Sequence, residues 1–78
     1  MVNIKLAGPF GKCMEEINED GFWVVDKAGE TVLDFLQTTA VKDEFMNYAI
    51  VVNGKTKKKD YVMQDGDTVK VIPLFAAG

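Results

Sequence analysis

The sequence predicts an α+β fold in which a mixed sheet of four to five strands packs on one main helix. Three observations predict it. Apolar residues alternate with polar ones near both ends of the chain, at Val2, Ile4 and Leu6 and again at Val69 and Val71, the period of two that gives a strand one buried face. One stretch, beginning at Val32, carries its apolar residues at helical spacing instead. Turn-forming pairs separate these segments, and 78 residues leave room for a single core.

In chain order, the first strand runs from Val2 to Leu6, and Gly8-Pro9-Phe10-Gly11 ends it with a turn or loop over residues 8–12 whose Phe10 packs onto the domain. Cys13 to Glu19 is acidic and has no clean period, so it is a loop or an irregular strand. Asp20-Gly21 marks a turn, and the aromatic and β-branched Phe22-Trp23-Val24-Val25 predicts a second strand through Asp26. After a loop at 27–30, Thr31 and Asp34 resemble a capping box that opens a helix. Val32, Phe35, Leu36 and then Thr39 or Ala40 form its core stripe, while Asp34, Gln37 and Thr38 face out.

Residues 41–47 form a linker with Phe45 and Met46 as anchors. Tyr48-Ala49-Ile50-Val51-Val52 is the most apolar run, which predicts a buried strand at the middle of the sheet, closed by the Asn53-Gly54 turn. From Lys55 to Met63 the chain is polar and reads as a short edge strand or crossing loop. Asp65-Gly66-Asp67 turns the chain into a last strand, with Val69 and Val71 on one face and Ile72 and Leu74 on the other. The Tyr48 strand or this last strand can lie parallel to the first, as a crossover through the helix allows. Pro73 has no N–H to donate, so regular pairing should weaken there. Residues 1–75 then form the domain and residues 76–78 a flexible tail.

Composition narrows the function classes. A net charge of −3 argues against nucleic acid, and the run Lys55, Lys57, Lys58, Lys59 after a turn is the solvated or edge-protecting kind. Cys13 is the lone cysteine and histidine is absent, so no disulfide and no metal-ligand cluster is expected, and a reducing cytoplasm fits. No stretch approaches the roughly 18 apolar residues of a membrane span, and no signal peptide is expected. An enzyme would have to work through Cys13 or a pair of carboxylates. Cys13 has no base partner at a recognisable spacing, and Glu15, Glu16, Asp65 and Asp67 read as solvated or turn residues, so no catalytic residue is assigned and Cys13 is expected to be a spectator.

The residues also carry a resemblance. Gly8-Pro9-Phe10 after the first strand, Ala28-Gly29-Glu30-Thr31-Val32 leading to Leu33 and Leu36, Val51-Val52-Asn53-Gly54, and Asp65-Gly66-Asp67-Thr68-Val69 leading to Ile72-Pro73 occur in an order and spacing similar to the ubiquitin-like β-grasp family. Within it the chain resembles the MoaD/ThiS-like small sulfur carriers, over nearly its whole length. The resemblance implies a non-catalytic carrier whose working group is the carboxylate of Gly78. A partner adenylyltransferase related to ubiquitin-activating enzymes uses ATP to adenylate it, and a sulfur donor converts it to a thiocarboxylate. The carrier binds no cofactor of its own.

Leu74, Phe75, Ala76 and Ala77 would be the tail and its contact residues, with Phe75 either at the mouth of a partner channel or closing the end of the sheet. Residues 76–78 extend about 10 Å at 3.3–3.6 Å per residue, enough to enter such a channel. The family usually ends in Gly-Gly, whereas this chain ends in Ala77-Gly78. Its length and Gly8-Pro9-Phe10 point to the molybdopterin-synthase type, with that synthase's large subunit as partner. The alternatives are a thiamine-type carrier serving a thiazole synthase, and a ubiquitin-like modifier or binding module joined through the same Gly78.

Overall fold

The computed structural model describes residues 1–8, 11, 14–39 and 47–74. Five strands and one helix follow in the order β1 (Val2–Leu6), β2 (Trp23–Val25), α1 (Val32–Gln37), β3 (Asn47–Val52), β4 (Lys55–Lys57) and β5 (Thr68–Leu74). The strands form one mixed sheet in the order β2-β1-β5-β3-β4. β5 runs parallel to β1 and antiparallel to β3, so of the two candidates for the parallel partner the last strand is the one. This is the ubiquitin-like β-grasp arrangement.

The alternation expected of β1 and β5 is observed: Val2, Ile4 and Leu6 are buried, as are Val69, Val71 and Pro73, while Lys70, Ile72 and Leu74 are exposed. The expectation that the Tyr48 run lies at the middle of the sheet is corrected, because that place belongs to β5 and β3 is one strand from the edge. Its apolarity has a different origin. Ile50 and Val52 enter the core, while Ala49 and Val51 remain half-buried on the opposite face. The second strand is shorter than 22–26, since the Phe22 N–H is held by the Asn18 side chain at 3.0 Å rather than by a neighbouring strand.

The helix is also short, six residues, yet both ends are satisfied. Thr31 Oγ1 accepts from the Asp34 N–H at 3.1 Å, as the capping pattern predicts. The N–H groups of Val32 and Leu33 donate to the carbonyls of Tyr61 and Lys59, both at 3.0 Å. Thus the crossing segment supplies the acceptors that the first helical turn lacks. Past the helix, Thr38 and Thr39 each donate a hydroxyl back to a carbonyl three residues earlier at 2.7 Å, which lets Thr39 lie buried.

Val32, Phe35 and Leu36 close the core over β1, β3 and β5, with the Phe35 ring 5.4 Å from that of Trp23. Met63 is fully buried and belongs to this core although Val62 and Gln64 on either side of it are exposed. Backbone bonds at 2.8 and 2.9 Å between Met63 and residues 29–30 pin it there. The β3–β4 hairpin turns on Asn53 and Gly54, whose φ angles of 52° and 84° are those of the Asn-Gly turn read from the sequence.

Candidate functional site

The part of the expected site that can be described is the root of the tail, where β5 delivers Leu74 to the end of the sheet. Pairing does not weaken at Pro73. Pro73 lies opposite Tyr48, and Leu74 opposite Asn47. Backbone groups alternate sides along a strand, and those of Asp67 and Val71 turn toward β1, accepting from Asn3 and Ala7 at 2.9 Å. Pro73 is in the same phase, so its missing N–H faces a side on which β1 has already ended at Leu6, and the β3 ladder loses nothing.

Gly8 occupies that vacated side. Its φ is +58°, and a Cβ there would sit 3.1 Å from Pro73 Cγ, so the turn after β1 can rest against the tail root only as glycine. Leu74, one of the expected contact residues, is 51% exposed. The other expected site residues, Phe75, Ala76, Ala77 and Gly78, lie outside the described residues, as do Pro9, Phe10, Cys13 and the linker anchors Phe45 and Met46.

Beside Leu74 the surface opens into a groove of about 620 Å³. Leu33, Tyr48, Ala49 and Leu74 make its apolar floor, and Lys57, Lys58 and Lys59 its rim. Lys59 Nζ lies 4.8 Å from the centre of the Tyr48 ring, and Lys57 Nζ 5.6 Å from that of Tyr61. Partial burial raises the pKa of the Tyr48 phenol. Sequence reasoning took these lysines for edge protection, which fits Lys55 and Lys57 on the edge strand β4, but it missed the groove. The signal was there in the aromatic residues, Tyr48 and Tyr61, placed within reach of the basic run.

A second cluster sets where β5 begins. Asp67 is 7% exposed, which corrects its reading as a solvated turn residue. Its carboxylate accepts from Asn53 Nδ2 at 2.8 Å, Tyr61 OH at 2.7 Å and the Gln64 N–H at 2.9 Å. Asn53 in turn accepts from the Thr68 N–H at 3.0 Å. Burial works against ionisation of Asp67, but the bonds from Tyr61, Gln64 and Asn53, with Lys57 nearby, outweigh it and hold the pKa below the usual carboxylate value. The hydrogen bond to Asp67, then burial, then the charge of Asp67 push the Tyr61 phenol up. Every member has its partner, so this cluster positions the chain and is not poised for proton transfer.

Among the described residues no group of three or more His, Cys, Asp or Glu is placed to hold a metal ion, and no helix is long and apolar enough to cross a membrane. In comparison with known proteins, the family model described as the ThiS family matches residues 10–78. The chain belongs to the ThiS family. A search of curated proteins found no match. Membership makes this ThiS-family chain a sulfur carrier, of a kind that is small and non-catalytic and works with adenylating and synthase enzymes. The match takes in the helix, β2 to β5 and the tail residues, leaving β1 outside it.

Proposed function

We propose that the chain carries sulfur as a thiocarboxylate on Gly78. A carboxylate oxygen of Gly78 attacks the α-phosphate of ATP on an adenylyltransferase related to ubiquitin-activating enzymes, releasing pyrophosphate. Hydrosulfide released by the donor then attacks the acyl carbon and displaces AMP, and loss of its proton leaves the thiocarboxylate, with no change of oxidation state. The observation that carries this reading is the ThiS-family match through Gly78, joined to a rigid β5 that ends four residues before it. Leu74 and Phe75 meet the partner, while Ala76 and Ala77, with side chains of a single methyl each, pass into its channel.

The synthase large subunit of molybdopterin formation is the proposed partner that takes in the tail, on the strength of Gly8-Pro9-Phe10, whose glycine sits against the tail root. A thiamine-type role with a thiazole synthase is the second reading, and the ThiS-family match is equally compatible with it. The cytoplasm is the proposed site of action. The test is intact-protein mass spectrometry after incubation with an activating enzyme, ATP and a sulfur donor. Exchange of one oxygen for sulfur at the C-terminus is expected. Deleting Gly78 should abolish it while leaving circular dichroism and Tm unchanged. An unmodified terminus under these conditions, or lysine-linked conjugates in its place, overturns the carrier reading. Sulfur transfer to one of the two purified synthases and not to the other separates the two pathways.

A further inference from the structure

The two edges of the sheet are unlike. At one, β4 and the turn after it carry Lys55, Lys57, Lys58 and Lys59, all exposed, and none forms a salt bridge with a described carboxylate. At the other, the segment before β2 carries Glu15, Glu16, Glu19 and Asp20, also exposed and without a described lysine in salt-bridge range. In the middle of this acidic segment Ile17 is 54% exposed.

Lysine on an edge strand ordinarily repels other strands, and that accounts for Lys55 and Lys57. It does not account for Lys58 and Lys59, which lie past β4 on the rim of an apolar groove whose one described carboxylate is Asp60. A basic rim over an apolar floor is the complement of an acidic segment with an apolar tip, and this chain has both.

We propose that the groove at the tail root receives residues 14–20 of a second copy of the chain. Ile17 seats on the floor made by Leu33, Tyr48 and Leu74, and Glu15, Glu16 and Glu19 face Lys57, Lys58 and Lys59. The floor residues Leu74 and Tyr48 lie on β5 and β3, two and three strands from β2 or roughly 10–14 Å at about 4.8 Å per strand spacing, and backbone bonds tie Met14 to Gly11 and Asn18 to Phe22 and Gly21, so one chain does not bring its own segment to its own groove. The contact joins unlike surfaces. Each bound copy still offers a free segment and a free groove, and short head-to-tail chains result.

A loop in a groove covers far less than the roughly 800 Å² per partner of a stable complex, so the association is weak, and because exposed charges carry it, salt screens it. Leu74 belongs to the floor, and a docked copy therefore covers the root of the tail. Self-association and delivery of the tail exclude each other.

Sedimentation velocity on the full chain tests this. At low salt the weight-average mass should rise with concentration, and high salt should return it to that of the monomer. The Lys57→Ala/Lys58→Ala/Lys59→Ala variant and the Glu15→Gln/Glu16→Gln/Glu19→Gln variant should each stay monomeric with unchanged circular dichroism. Mixed in equal amounts they should form a complex of one copy of each and nothing larger, since only one intact segment and one intact groove remain to meet. Ile17→Ser, a change at an exposed position, should weaken association several-fold and serves if a triple variant fails to fold. A wild-type chain that is monomeric at every concentration in low salt overturns the proposal, and so does association that survives in either triple variant. Monomeric wild type that binds an unrelated acidic peptide overturns it too, and gives the groove to an outside partner.

Discussion

Replacing Asp67 by alanine should be among the costliest single changes outside the apolar core. The carboxylate receives donors from three separate places: the hairpin turn at Asn53, the crossing segment at Tyr61 and the turn at Gln64. Hydrogen bonds to a charged group contribute about 1.5–3 kcal/mol each, but water regains access to the exposed Asn53 and Gln64, so the net loss should be about 2–3 kcal/mol. For a domain of this size that lowers Tm by roughly 10–20 °C. Asp67→Asn keeps one acceptor and turns an N–H₂ toward donors, two of which cannot reverse, and should cost about 1–2 kcal/mol.

The pH dependence follows from the depressed pKa. Because the folded state holds Asp67 below its unfolded value of about 3.9, the stabilisation is fully present above that pH and is lost as pH falls through the folded pKa. Urea unfolding of parent and Asp67→Asn should therefore differ by a constant amount from neutral pH down to about 5, with the difference shrinking in more acid solution. If Asp67→Asn stays within about 0.5 kcal/mol of the parent, as an ordinary surface substitution would, the reasoning fails.

Three further outcomes are expected. Gly8→Ala should destabilise by about 1–2 kcal/mol, since alanine is strained at positive φ and its methyl presses on Pro73, as thermal unfolding would show. Thr31→Ala removes the acceptor for the Asp34 N–H and should cost about 1 kcal/mol in the same assay. Ultraviolet titration should find both tyrosines ionising above the ordinary value of about 10, and Asp67→Asn should bring only one of them down. The part of stability that Tyr61 contributes is then present below about pH 10 and is lost as pH rises through its raised pKa.

The elements that face one core with a regular period were legible: β1, β5 and the stripe Val32, Phe35, Leu36 follow directly from the spacing of apolar residues. The place of β3 was not, because apolarity reports burial or an uncovered sheet face and says nothing about which strand is the neighbour. Pro73 misled for a related reason. Its cost depends on which side of β5 is paired at that point, a matter of where β1 stops. Asp67 could not be read locally at all, since its partners stand 14 and 6 residues away and become partners only when the hairpin and crossing segment meet. At the tail root, the outward face of Leu74 was legible from alternation, while the groove beside it joins residues of α1, β3, β4 and β5 that no window of sequence contains.

The central place of β5 has a mechanical meaning. In the proposed role, a tail drawn into a narrow channel would be pulled along its own axis, and that load would pass first into β5. β5 is gripped on both flanks, by β1 along its first half and by β3 along its length. Tension along it must therefore shear two ladders at once, with many bonds sharing the load, and cannot peel the strand away one bond at a time. An edge strand would unzip under the same pull. A strand clamped between two others can be tugged, threaded and released with the domain behind it intact.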